Sequence, residues 1–92
     1  MGEVEQADVE LTAMHYVYIL RLQNGQCYVG STSNLDDRLA RHERNEACRT
    51  TTRVPMKDVE FYAAFQTKEK AEAFERYLKS SSGFAFRNKR LL

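Results

Sequence analysis

The chain has no tryptophan, only one proline, two cysteines and four glycines in 92 residues. Two cysteines, Cys27 and Cys48, cannot build a disulfide framework and have no zinc-ligand spacing with His15 or His42. No apolar run approaches the roughly 18 residues a membrane span needs. The first ten residues, MGEVEQADVE, offer neither a basic region nor an apolar stretch, so a secretory signal is not expected. Reduced thiols and a cytoplasmic setting follow as expectations. Glycine-rich phosphate loops and a Ser-His-Asp order are also missing, which argues against a nucleotide fold and a serine hydrolase. No repeat or low-complexity segment marks a second domain.

What is present is ordinary globular material, 42% apolar and 29% charged. A chain this short buries about 60–65% of its unfolded surface, so the core is modest. The net charge of +1 conceals an asymmetry: residues 1–13 hold Glu3, Glu5, Asp8 and Glu10 and no base, leaving +5 for residues 14–92. A disordered acidic tail over 1–13 and a mildly basic domain over 14–92 are expected. The positive balance suits a polyanionic partner, and equally an ordinary solvated surface.

His15 to Leu22 reads as a strand, Gln23-Asn24-Gly25 as a turn and Cys27 to Gly30 as the return strand. A three-residue turn with Gly25 left-handed sorts the side chains best. It sets Tyr18 opposite Gly30, joins Tyr28 to the Tyr18 face and collects Val17, Ile19, Cys27 and Val29 on the other. Ser33, three residues before Asp36, predicts the cap of a helix with Leu35 and Leu39 buried and Arg38 and His42 one turn apart on its edge. That helix is expected to end between Asn45 and Cys48. Residues 49–57 read as a loop and 58–65 as a third strand. Thr67 caps a helix whose face is Ala71, Phe74 and Leu78, with Glu75 beside it. After a break at Ser80–Gly83, a short last helix is expected to pack through Phe84 or Phe86. The order is β-β-α-β-α-α, an α/β (α+β) fold with a three-stranded antiparallel sheet flanked by helices.

Taken singly, the polar residues have plain readings. Tyr18 and Tyr28 are half-buried strand tyrosines, Arg38 and Arg41 solvated helix charges, His42 a helix-end cation, Gly30 a strand end. Glu75 is a partner for Lys79. These readings do not explain why the groups border one face. Cleaving a phosphodiester needs an activated water, a cation on the phosphoryl oxygens and relief for the leaving oxygen. Arg38 can clamp a phosphate bidentately, and Glu75 can hold one hard cation. Two-metal sites need clustered carboxylates holding ions about 4 Å apart. Glu75 stands alone, with Asp36 and Asp37 on the outward side of their helix, so one metal is the better reading. A phenol of pKa about 10 needs help to act as a base, whereas imidazole at about 6.5 is better poised.

The pattern resembles the GIY-YIG nuclease superfamily. Tyr16-Val17-Tyr18 matches its first signature and Tyr28-Val29-Gly30 its second. SNLDDRLARH matches the helix with the family's arginine and histidine, and KAEAFERYLKSSSG the helix with its metal-binding carboxylate. The likeness spans about residues 14–90. Tyr16 replaces the first glycine, Ser31 stands where some members have lysine, and Asn88 is a loose counterpart of the family's C-terminal asparagine. The resemblance implies a divalent-metal-dependent endonuclease acting on DNA, with Tyr18, Tyr28, Arg38, His42 and Glu75 catalytic and Mg²⁺ or Mn²⁺ on Glu75. The base would be Tyr18 or Tyr28, with His42 assisting. Gly30, Ser31, Arg41 and Asn88 become candidates for substrate contacts. A nucleic-acid-binding module without catalysis, or a subunit needing a protein partner, remains as the alternative, and the oligomeric state is open.

Overall fold

The computed structural model describes residues 14–92, so the expected acidic tail over 1–13 lies outside the described residues. Strand β1 (His15–Leu22) pairs antiparallel with β2 (Cys27–Thr32) and, on its other side, with β3 (Met56–Phe65), giving the order β2-β1-β3. Helix α1 (Leu35–Glu43) and a one-turn helix α2 (Arg49–Arg53) lie between β2 and β3; α3 (Lys68–Lys79) and α4 (Ser81–Arg90) follow. This is the expected three-stranded antiparallel sheet with helices, with α2 added.

The hairpin has the expected register. Tyr18 pairs with Gly30, Leu22 N–H donates to Gln26 O at 2.8 Å, and Gly25 sits at φ 87°. A left-handed Gly25 lets the three-residue turn follow the twist of its strands.

Because β1 is central, both its faces are covered. Val17 and Ile19 pack with Val29, Ala71 and Leu78, joined by Phe61, Phe65, Phe74, Leu91 and Leu92. Tyr18, Leu20 and Leu22 pack on the other face with Tyr28, Leu35, Leu39, Val54 and Met56. Helices α3 and α4 therefore serve one face and α1 the other. An unbroken apolar run in β1 is what burial on both faces requires. No helix of the described residues is long and apolar enough to cross a membrane.

Four expectations are corrected. Asn34, not Ser33, caps α1: its side chain accepts from Asp37 N–H at 3.1 Å. The helix ends at Glu43, before the expected range, and the chain turns away through Asn45 at φ 61°. Arg49–Arg53 is helical rather than loop, although threonine is a poor helix former. Tertiary contact overrides propensity there: Thr51 is fully buried, while Thr52 Oγ1 donates to Asn45 O and Cys48 O. Finally, α4 begins at Ser81, capped by Ser80, and buries Gly83 and Arg87; Phe84 and Phe86 stay 52% and 37% exposed. Leu91 and Leu92 take the packing role that was expected of Phe84 or Phe86.

The cap assignment is testable by urea unfolding. Asn34→Ala should cost about 1 kcal/mol, whereas Ser33→Ala, which removes no cap bond, should change stability by no more than a few tenths of that.

Candidate active site

Tyr18 occupies the middle of β1 and is fully buried, as is His42 in the last turn of α1. The Tyr18 hydroxyl lies 2.9 Å from His42 Nε2. The opposite ring nitrogen, Nδ1, lies 2.9 Å from the hydroxyl of buried Thr51 in α2. Thr51 Oγ1 is in turn 3.4 Å from Cys48 Sγ. Tyr28, on β2, packs against the group, its ring centroid 5.4 Å from His42 and 6.4 Å from Tyr18. Tyr18, His42, Thr51 and Cys48 thus form a linked chain of polar groups, with the Tyr28 ring packed beside it.

Gly30 makes the cluster possible. It faces Tyr18 across the ladder, and a Cβ there would stand 2.5 Å from the Tyr18 hydroxyl oxygen and 3.1 Å from the Tyr28 ring. No side chain fits between the two tyrosines at that position.

The environment favours the neutral forms of the two phenols and the imidazole. Burial raises the Tyr18 pKa, against a hydrogen bond from Arg38 and its positive charge. Burial also raises Tyr28, helped by its bond with Cys48 and by Tyr18. His42 is lowered by burial and by the Arg38 charge. For Cys48, burial works upward, but hydrogen bonds from Thr51, Tyr28 and the Thr50 backbone outweigh it and the thiol is lowered. Near neutral pH both phenols are therefore protonated and the imidazole is uncharged. Thr51 has one hydroxyl proton. When it goes to the Cys48 sulfur, Thr51 Oγ1 accepts from Nδ1–H, and Nε2 is left to accept from Tyr18.

Charges sit at the margin. Arg38, half-buried one turn before His42, acts on all three rings. The ion pairs among the described residues do not include it, so its guanidinium is available to an anion. Glu75 comes from α3, the helix on the opposite sheet face, and reaches the edge strand β2. Its carboxylate accepts from Ser31 Oγ at 2.7 Å and from Lys79 Nζ at 2.7 Å. Burial works to raise its pKa, but the bonds from Lys79 and Ser31 and the charges of Lys79 and Arg76 prevail, and the group is held low. Its negative charge is felt at Tyr18. Among the described residues no group of three His, Cys, Asp or Glu could cage a metal. One ionised carboxylate beside a hydroxyl fits a single hard cation that keeps most of its waters, as Mg²⁺ does.

Of the residues expected from sequence, Tyr18, Tyr28, Gly30, Arg38 and His42 come together, and Ser31 and Glu75 meet at the adjoining edge. Arg41 points away, paired with Asp37 at 3.2 Å and half exposed. Asn88 is exposed on α4 and lines a separate cleft with Arg21, Gln26 and Cys27. Thr51 and Cys48 were not expected: in the run RTTTR nothing sets Thr51 apart from its neighbours.

The chain as a whole has known relatives. A family model described as the GIY-YIG catalytic domain matches residues 14–90. Over 72 residues the chain is 35% identical to the UPF0213 protein of Bacillus licheniformis, a match covering 77% of this chain and 73% of that one. It is 36% identical over 67 residues to the UPF0213 protein of Clostridium perfringens, covering 72% and 71%. The solution NMR structure of the UPF0213 protein from Bacillus halodurans superposes with a TM-score of 0.53 at 29% identity, covering 85% of this chain and 86% of that one. The fold is that of a catalytic domain of nuclease type. The chain belongs to the GIY-YIG family.

Two measurements probe the hydrogen-bonded chain. Since His42 is lowered, the unfolded chain takes up its proton first as pH falls. Stability should hold above the ordinary histidine value of about 6.5 and drop below it until the folded pKa is passed. That part of the slope should vanish in His42→Gln when urea unfolding is followed against pH. Thr51→Val leaves Nδ1 unpaired and should cost about 1–3 kcal/mol, with the ¹⁵N shifts of the His42 ring moving; Thr51→Ser should preserve both.

Proposed function

We propose that this protein is a divalent-metal-dependent endonuclease that hydrolyses phosphodiester bonds in DNA. The observation that carries the reading is the 2.9 Å bond from the Tyr18 hydroxyl to His42 Nε2, with Arg38 and Glu75 both acting on that hydroxyl. Arg38 binds a non-bridging oxygen of the scissile phosphate and stabilises the charge that grows there. A water beside the Tyr18 oxygen gives its proton to that oxygen as the Tyr18 proton moves to Nε2. The imidazole becomes imidazolium and the water oxygen attacks phosphorus. Tyr18 acts as base without forming a free phenolate, which its burial opposes. This joins the tyrosine and histidine roles in one relay. Glu75, with Ser31 beside it, would hold Mg²⁺ or Mn²⁺, which when bound supplies positive charge to the phosphoryl and leaving oxygens.

A specific observation favours a second reading, a DNA-binding module without catalysis. Lys79 already neutralises Glu75 at 2.7 Å, and residues 14–92 carry +5. Such a module would retain DNA in a salt-sensitive manner without metal, and Arg38→Ala and Glu75→Ala would leave that retention intact.

Cleavage assays on single-stranded, branched and duplex DNA with Mg²⁺ or Mn²⁺ separate the two. Arg38→Ala should lower kcat by at least about 10²-fold and His42→Gln by about 10²–10⁴-fold. Glu75→Ala should abolish the metal dependence. Activity should fall on the acid side only below the ordinary histidine value of about 6.5, because burial and Arg38 lower the pKa at which His42 protonates. If wild type and Glu75→Ala were equally inactive on every substrate, the nuclease reading would be lost.

A further inference from the structure

On the other face of the sheet from Tyr18, at the hairpin end, is a cleft of about 550 Å³ lined by Arg21, Gln26, Phe84, Arg87 and Asn88 among others, none of them acidic. Arg87 is 9% exposed, and its Nε is buried with no hydrogen-bond partner. Its guanidinium carbon lies 4.7 Å from the Phe84 ring centroid. Among the described residues the ion pairs leave Arg87 out. A nearby aromatic face attracts a cation but does not neutralise it. Burying a guanidinium without a counter-charge costs several kcal/mol. Arginine is always charged, so it cannot escape that cost by losing a proton. Arg21, at the same cleft, is already engaged: it pairs with Glu60 at 3.3 Å and donates to Gly25 O at 2.8 Å. Its charge is already met, whereas Arg87 has an unpartnered Nε and, among the described residues, no ion pair. Asn88 offers an amide at the rim.

We propose that this cleft is an anion site that takes a phosphate group, with Arg87 as its charged donor. A planar fork of N–H donors matches phosphate oxygens, and the absence of acidic lining residues removes the usual internal competitor. The same group can arrive as a backbone phosphate of DNA, which rests on the nuclease reading, or as a free phosphate compound, which does not. As a backbone contact it would hold the nucleic acid away from the cleavage point and orient it without reading sequence.

The test follows the Arg87 Nε–H resonance in ¹H–¹⁵N spectra of the whole protein. Inorganic phosphate is titrated in one arm and a short DNA duplex in the other, against chloride at equal ionic strength. Phosphate should shift the resonance and chloride should not. If DNA shifts it too, Arg87→Met should weaken DNA binding and reduce its salt slope by about 1. If only phosphate acts, the site stands and its ligand is a small phosphate compound. Because Arg87 is buried, Asn88→Asp is the second variant. It places a carboxylate at an exposed rim position and should abolish the phosphate response in a folded protein. Silence of the Arg87 resonance in both arms overturns the proposal and leaves Arg87 a packing strut. DNA cleavage that persists in that case would show the nuclease reading intact; a phosphate response in a protein that cuts nothing would show the reverse.

Discussion

A hydroxyl group buried in the middle of the central strand constrains much of this domain. Tyr18 has strand neighbours on both sides and its side chain is fully buried, so its hydroxyl needs a partner from within the fold. Leaving such a group unpartnered would cost about 1–3 kcal/mol. His42 meets it, and that requirement propagates. Helix α1 must cross the sheet with Arg38 and His42 turned inward, which Leu35 and Leu39 secure by packing on the same face. The strand opposite must carry no side chain at the point of contact, hence Gly30. The far side of the imidazole must be met in turn, which draws Thr51 into the interior and makes a helix of a stretch with little intrinsic tendency to form one.

The sheet also sorts neutral from charged chemistry. On the α1 face, burial holds the tyrosines protonated and the histidine uncharged, so these three side chains place no charge in a region of low dielectric. The charged groups stand where water or a ligand can reach them. Arg38 lies at the flank of α1, and Glu75 arrives from the opposite face by way of the edge strand. An edge position is what lets a helix on one side contribute to a cluster on the other. Had β2 been internal, a third strand would have stood between Glu75 and the tyrosines.

Arg87 shows the converse situation, a charge placed inside with its Nε unpartnered and, among the described residues, no ion pair. Natural interiors seldom hold an unmatched arginine. Its presence beside an aromatic ring and a second arginine gives this face a chemical character separate from that of the tyrosine cluster.

Local chemistry in the sequence was enough for the hairpin register. Only one turn length separates an apolar set from a tyrosine set, because side chains alternate along a strand. It was also enough for the Thr67 cap and the apolar stripe of α3, and for placing Tyr18, Tyr28, Arg38 and His42 on a common face, since strand and helix periods are short-range rules. It could not choose between Ser33 and Asn34, two adjacent residues with equal capping chemistry. It gave no sign that Phe84 and Phe86 would lie outside while Arg87 went in, because a ten-residue helix with weak amphipathicity is oriented by what it packs against. Thr51 and Cys48 were invisible for the same reason: their roles come from contact with His42 and Tyr28, residues distant along the chain. Patterning within single elements was thus written in the amino acids themselves. Which of several chemically equivalent residues meets a distant partner was decided only when the sheet and helices came together, because burial and proximity are properties of the assembled fold.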